Sequence, residues 1–179
     1  MTIEAEIYAK HKNLKIAATE LGIPWQTLYV KLRRQGVAVT GDKARYGGPS
    51  DQLAVKAEAL FKFLVPNAVS KNDEQWQAKF DFLVGGRNRV DVKASKRNKQ
   101  SKRSKALRWS FLFSKQSYEC DFFCCFCLTE DGEAVEKILL IPHEIAQGLQ
   151  TMSVPCASRG KWCDFEIASG ELADFFASI

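Results

Sequence analysis

The sequence predicts an α/β or α+β sheet domain that follows a small helical unit. A helical pattern spans residues 51 to 66, and several strand-like runs and then two shorter helical patterns come after it. Gly-rich, polar residues fill the stretch from 41 to 50, which is typical of a linker. A chain of 179 residues has room for one domain and a small appendage. We therefore expect a helical unit over 1–40 and a sheet domain over 51–179.

The first 40 residues predict two helices that cross closely. Gly22 ends the first helix and permits a tight turn, and Pro24 suits the first turn of the next helix. Ala18 lies four residues before the glycine, where its small side chain lets the helices approach. The pattern resembles a helix-turn-helix, whose second helix would contact DNA. The alternative is a plain helical hairpin used for packing or dimerisation. The DNA-binding candidates on the outer face of the second helix are Gln26, Thr27, Lys31, Arg33 and Arg34.

Alternation of apolar and polar residues predicts the strands of the sheet domain. The predicted strands cover 76–84, 90–94, 109–114, 120–128, 137–141 and 162–167. Shorter helices are predicted at 143–149 and 171–177, and Ser169 is expected to cap the second of them.

Composition narrows the class of protein. Hydrophobic residues make up 46% and charged residues 26%, as in ordinary soluble globular proteins. The longest apolar runs are far short of the roughly 18 residues that cross a bilayer. The first residues, MTIEAEIYAKHK, lack the apolar region of a signal peptide. We therefore expect a cytoplasmic protein with no membrane contact.

Four of the six cysteines lie in the segment CDFFCCFC, where the neighbouring phenylalanines are typical of a strand. We expect these four to be buried apolar residues, with a metal site as the alternative. Their spacing lacks the paired CxxC pattern of a zinc site, and no secretion signal supports disulfides.

The candidate metal-binding and catalytic residues lie within residues 80 to 93, which read FDFLVGGRNRVDVK. Asp91 and Lys93 are two residues apart on a predicted strand, so their side chains point to the same face. Asp81 can join them if the chain folds back over a loop with an odd number of residues, for which Gly85 and Gly86 can supply positive φ. Two carboxylates beside an ammonium can hold Mg²⁺, polarise a phosphate and orient a water. The alternative is a surface hairpin whose charges serve solubility.

A basic segment follows this hairpin directly. Residues 96 to 108 contain seven Lys or Arg residues and no acid, within a chain of net charge +5. Such a run is suited to phosphate contacts, although a solvated loop would have the same composition. The candidates for contacts with DNA phosphates are Lys96, Arg97, Lys99, Lys102 and Arg103.

The order of these residues resembles the PD-(D/E)xK nuclease superfamily over residues 51 to about 145. Glu58 lies on the helix, Asp81 on the first strand of the hairpin, and Asp91-Val92-Lys93 follows after nine residues. Phe80 stands where the motif has proline. The resemblance implies a mixed central β-sheet flanked by helices, as in restriction endonucleases. It also implies that Glu58, Asp81 and Asp91 ligate Mg²⁺, with Mn²⁺ able to substitute, and that Lys93 acts on the attacking water or the transition state.

The later part of the domain looks like the same superfamily. A strand opened by Asp121, a turn, a further strand and a Pro-started helix are similar to small archaeal Holliday-junction resolvases and to intron homing endonucleases of this type. Asp121 would be a structural acid outside the metal's ligand set.

These observations predict a Mg²⁺-dependent endonuclease that cuts double-stranded DNA, with sequence selection by the helical unit. A structure-specific Holliday-junction resolvase is the nearest alternative, and a catalytically inactive DNA-binding regulator is the alternative from another class. Double-strand cleavage by one small active site usually implies a homodimer or homotetramer.

Overall fold

The computed structural model describes residues 2–39, 48–72, 78–99, 106–113, 119–157 and 160–179. They divide into two compact units. The first unit comprises the chain up to residue 52 together with 70–78, and the second comprises 53–69 and 79–179. None of the helices in these ranges is both long and apolar enough to cross a membrane.

Three short helices form the first unit: α1 (Ile3–His11), α2 (Leu14–Glu20) and α3 (Trp25–Arg34). The side chains of Thr2 and Asn13 cap α1 and α2 by accepting hydrogen bonds from backbone N–H groups. Gly22 has φ +66°, which allows the turn before α3. The buried side chains between the helices are Ala5, Tyr8, Ala17, Ala18, Leu28 and Leu32.

The second unit is built on a mixed five-stranded sheet. In chain order its strands are β1 (Val69–Ser70), β2 (Phe82–Val84), β3 (Asn88–Lys96), β6 (Phe122–Leu128) and β7 (Val135–Pro142), which is also their spatial order. β3 pairs antiparallel with β2 and parallel with β6, and β6 pairs antiparallel with β7. A second sheet has the order β4 (Asn98–Lys99), β5 (Leu107–Leu112), β8 (Thr151–Pro155). The helices are α4 (Pro49–Leu64), α5 (His143–Ala146) and α6 (Leu172–Ser178). The chain is therefore mixed α/β, with a mixed central sheet flanked by helices.

The two faces of the five-stranded sheet differ in character. The apolar face, which includes Phe82, Val84, Val90 and Val92, packs in one cluster with α4 and α6. The opposite face, which we call the charged face, carries Asp91 and Lys93 on β3 because residues alternate along a strand. Its apolar residues pack with the second sheet, in a cluster that includes Trp109, Phe111, Phe123, Cys125 and Cys127.

The four cysteines of the segment CDFFCCFC are buried as predicted, whereas Cys156 and Cys163 are partly exposed. All six cysteines are free thiols. Burial raises the pKa of the Cys124 and Cys125 thiols, so both stay protonated.

Several predicted boundaries are wrong. The strand expected over 162–167 is instead a 3₁₀ turn at Lys161–Phe165, in which Trp162 and Phe165 pack on each other three residues apart. Ser169 does not cap the last helix; it starts a 3₁₀ turn at Ser169–Glu171, and no side chain caps α6. Of the strand expected over 76–84, only β2 forms, while 76 and 77 lie outside the described residues. Strand β8 was not predicted, and the helix expected over 143–149 ends at Ala146.

Candidate active site

The β2–β3 hairpin brings the sequence motif together. Val84 pairs with Asn88, so a loop of three residues joins the strands. Gly85 and Gly86 have φ +61° and +73°, a conformation that residues with a Cβ adopt at a cost. The predicted odd-numbered loop with two positive-φ glycines is confirmed.

Asp81 lies directly before β2, where the pairing shifts by one residue. Its N–H donates to the carbonyl oxygen of Val90 at 3.0 Å, although Val90 is the residue that pairs with Phe82 in the register of the two strands. Its carboxylate Oδ2 accepts from the N–H of Val92 at 2.7 Å. The carboxylate therefore replaces a backbone acceptor of the sheet and is held against β3 at the residue between Asp91 and Lys93.

Asp91 and Lys93 form a mostly buried ion pair on the charged face. Lys93 Nζ lies 2.9 Å from Asp91 Oδ2, and the two side chains are only 15% and 6% exposed. The ammonium also lies 5.5 Å from the ring centre of Phe113 and 5.6 Å from that of Phe123. The sequence motif does not reveal these two phenylalanines, because Phe113 directly follows β5 and Phe123 lies on β6, far from Lys93 along the chain.

Cys120 is a further neighbour that the sequence did not reveal. Burial raises the pKa of its thiol to about 12; the negative charge of Asp91 adds to this effect and Lys93 opposes it. The thiol is therefore protonated at neutral pH in this structure.

Glu58 lies on the helix that packs on the opposite side of the sheet from Asp91 and Lys93. It is partly buried on α4, next to Ala57, and α4 packs on the apolar face rather than the charged face. In the described part of the chain, no three His, Cys, Asp or Glu side chains are grouped so that they could hold a metal ion. A third carboxylate ligand from Glu58 thus stays a prediction.

Asp121 makes contacts typical of a structural acid. Its two carboxylate oxygens accept from Nε and Nη2 of Arg89 at 3.1 and 2.7 Å, and Oδ2 also accepts from the Arg89 N–H at 2.8 Å. These hydrogen bonds lower the pKa of Asp121 below its usual value. The N–H of His143 donates to the Asp121 carbonyl, and the His143 ring stacks on Phe123 at 5.9 Å. The starts of β3 and β6 and the end of β7 are thereby joined.

The predicted DNA-binding residues fall into three groups. On α3, all five candidates are exposed, although Lys31 also pairs with Glu4 at 2.8 Å. At the end of β3 and just beyond it, Lys96 donates to the carbonyl of Asp131, Arg97 pairs with Glu136 at 3.1 Å, and Lys99 on β4 is exposed. Lys102 and Arg103 lie outside the described residues.

A scan against protein-family models and a search of curated proteins both find no match to this chain.

Proposed function

We propose that the protein is a metal-dependent DNA endonuclease of the PD-(D/E)xK type, which hydrolyses phosphodiester bonds. The observation that carries this proposal is the buried Asp91–Lys93 pair, together with the Asp81 carboxylate that accepts a hydrogen bond from the backbone N–H of Val92, the residue between them in the sequence. Removing two charges from water is costly, and such buried charges are concentrated at functional sites. A hairpin that turns over two glycines to place these groups together, within a mixed sheet, fits the superfamily that the sequence resembles.

The donor set fits a small divalent cation. Mg²⁺ is usually held by one or two carboxylates, with waters and substrate phosphates completing its shell. Asp81 and Asp91 would supply the carboxylates, since a carboxylate has about four acceptor sites and a hydrogen bond uses only one of them. Glu58 would add a third ligand only if it reached the same group. When bound, the cation would lower the pKa of a water and offset negative charge on the phosphate.

The roles of the three side chains follow from their contacts. The Val92 N–H fixes the Asp81 carboxylate, so this group would keep its orientation when substrate binds. Lys93 Nζ forms an ion pair with Asp91 Oδ2 at 2.9 Å. When substrate binds, the ammonium would exchange this contact for one with a phosphate oxygen. The compact charge of the Lys93 ammonium would then stabilise negative charge in the transition state; alternatively, Lys93 in its neutral amine form would take a proton from the attacking water.

Double-stranded DNA is the substrate that the remaining features favour. The exposed Gln26 and Thr27 of α3 can hydrogen-bond to base edges, as residues of a recognition helix do. Lys99, with Lys102 and Arg103 beyond the described residues, would contact phosphates without reading sequence. We therefore favour site-selective cleavage by a homodimer or homotetramer.

The direct test is incubation of the protein with linear, supercoiled and four-way-junction DNA in Mg²⁺, Mn²⁺ or EDTA. We expect cleavage of double-stranded DNA in either metal and none in EDTA. Asp91→Asn should lower the rate by about a hundredfold or more while DNA binding is retained. Glu130→Gln, at an exposed acid of the β6–β7 turn, is the matched control and should cut normally.

Other outcomes separate the alternatives. Preference for the four-way junction would favour the resolvase, and DNA binding without metal-dependent cleavage would favour the inactive regulator. The double variant Gln26→Ala/Thr27→Ala should still cut but discriminate less between sites; unchanged selectivity would assign α3 to packing or assembly.

A further inference from the structure

We propose that Phe113 and Phe123 form an aromatic seat for the Lys93 ammonium and are positioning residues for the cleavage reaction. The inference rests on the proposed function, since it concerns how that site holds its lysine. Nothing in the sequence motif points to these two residues.

The geometry of the seat is that of a double cation–π contact. Lys93 Nζ is 5.5 Å from the ring centre of Phe113 and 5.6 Å from that of Phe123, within the roughly 6 Å over which such contacts act. The two rings meet edge to face, with centres 4.8 Å apart and planes at 89°. Phe113 is 6% exposed and Phe123 is 1% exposed, so surrounding side chains hold both rings in place.

The two rings reach the lysine from separate sheets. Phe123 lies on β6 and pairs in register with Asp91, while Phe113 directly follows β5 in the second sheet. The stacked His143 covers Phe123 as well. The position of the ammonium thus depends on how the second sheet packs on the charged face.

The chemistry of the rings suits a lysine that must act on a phosphate. Burial disfavours a charged ammonium, and the negative ring faces offset part of that cost. A ring face is a poor hydrogen-bond acceptor compared with a carboxylate. The N–H groups of Lys93 therefore stay directed towards oxygen atoms: Asp91 in this structure, and a phosphate oxygen in the complex.

Fluorinated phenylalanines introduced at position 113 of the full-length protein test this role. Each fluorine weakens the negative potential of the ring face with little change in shape. At saturating DNA and Mg²⁺ we expect the cleavage rate to fall stepwise with fluorination, about three- to thirtyfold in total, and DNA affinity to stay constant. The same series at Phe111, a buried ring two residues earlier on β5, should leave the rate unchanged. A flat series at position 113, or equal losses at both positions, would overturn the proposal.

A second measurement does not depend on cleavage. In protein labelled with ¹³C-lysine, ring currents should shift the Lys93 methylene next to the ammonium upfield, a signal assigned by its loss in Lys93→Arg. Phe113→Leu should return that signal towards the value of an exposed lysine. An unshifted signal in the wild-type protein would refute the seat even if DNA is cut. A shifted signal in a protein that cuts no DNA would refute the proposed function and leave the seat standing.

Discussion

Two acid–base pairs lie side by side on the charged face of the sheet, and they differ in almost every physical respect. Arg89 and Asp121 join β3 to β6 through a bidentate contact, and their side chains are 41% and 35% exposed. Asp91 and Lys93 lie two and four residues further along β3, are mostly buried, and have the rings of Phe113 and Phe123 beside the ammonium. The first pair connects two strands and stays hydrated, whereas the second connects neighbours on one strand and is removed from water.

The comparison distinguishes an ion pair that stabilises the fold from a buried ion pair whose contribution to stability is small. A bidentate surface pair contributes a modest stabilisation at a small desolvation cost. A buried pair often contributes less than well-packed apolar residues of similar volume would. Stability alone therefore accounts for Arg89 and Asp121 but not for Asp91 and Lys93, whose burial the proposed catalytic role would explain.

The largest expected effect follows from breaking the buried pair. Lys93→Met leaves the Asp91 carboxylate buried without its cation, and we expect the free energy of unfolding to fall by about 3–5 kcal/mol in urea titrations. The double variant Asp91→Val/Lys93→Met should recover most of that loss, because no charge is left behind. Lys99→Met, at an exposed position, is the control and should change stability by less than about 0.5 kcal/mol.

A different result would remove the distinction between the two pairs. If the double variant were as unstable as Lys93→Met alone, the Asp91–Lys93 pair would be a structural element like Arg89–Asp121. Its burial would then no longer support the proposed function.

Local patterns in the sequence predicted the hairpin and α4. Alternation placed Asp91 and Lys93 on one face, and Gly85-Gly86 supplied the turn, because both depend on neighbours along the chain. The apolar residues of 162–167 predict a strand, but the chain forms a 3₁₀ turn at Lys161–Phe165, in which Trp162 and Phe165, three residues apart, pack on each other. The sheet is mixed because β3 pairs parallel with β6. The alternation of residues along a strand does not predict which strand lies beside it or in which direction that strand runs.

The candidate site was predictable only in its charged residues. The register of β3 on β6 places Phe123 opposite Asp91, and the packing of the second sheet brings Phe113 to Lys93; both are long-range events. The shift of pairing at Asp81, and the bond from Val92 N–H to its carboxylate, depend on side-chain chemistry that alternation patterns do not contain. The placement of Glu58 relative to the carboxylates is long-range for the same reason.

An intermediate effect is expected at the other end of β3. Lys96 reaches over Gly132 to the carbonyl of Asp131 at 2.6 Å, and a Cβ on Gly132 would lie 2.5 Å from Lys96 Cε. Gly132→Ala should lower the free energy of unfolding by about 2 kcal/mol. About 1 kcal/mol of this comes from a side chain at its φ of +82°, and the rest comes from displacing Lys96. Gly148→Ala, with φ +81° and no atom near its Cβ, is the matched control and should show only the first part. Equal losses in the two variants would mean that Lys96 moves aside freely and that its bond to Asp131 contributes nothing.

The smallest effect, and the sharpest test of the surface pair, is expected from Asp121→Asn. Because Arg89 lowers the pKa of Asp121 in the folded protein, the ionised carboxylate stabilises the fold. This contribution is complete above the unfolded pKa of about 3.9 and disappears as pH falls through the lowered folded pKa. Asp121→Asn should therefore cost about 1 kcal/mol or less at pH 7, given the exposure of the pair, and the difference from wild type should shrink below about pH 4. Urea unfolding across that range measures it, with added salt expected to reduce the difference at pH 7. If the difference in stability persisted below about pH 4, the asparagine would be disturbing packing and not only removing a charge.

DNA cleavage by Asp121→Asn should continue at near the wild-type rate, since the contacts of Asp121 join strands. A loss of rate as large as that of Asp91→Asn would instead give both pairs a role in catalysis.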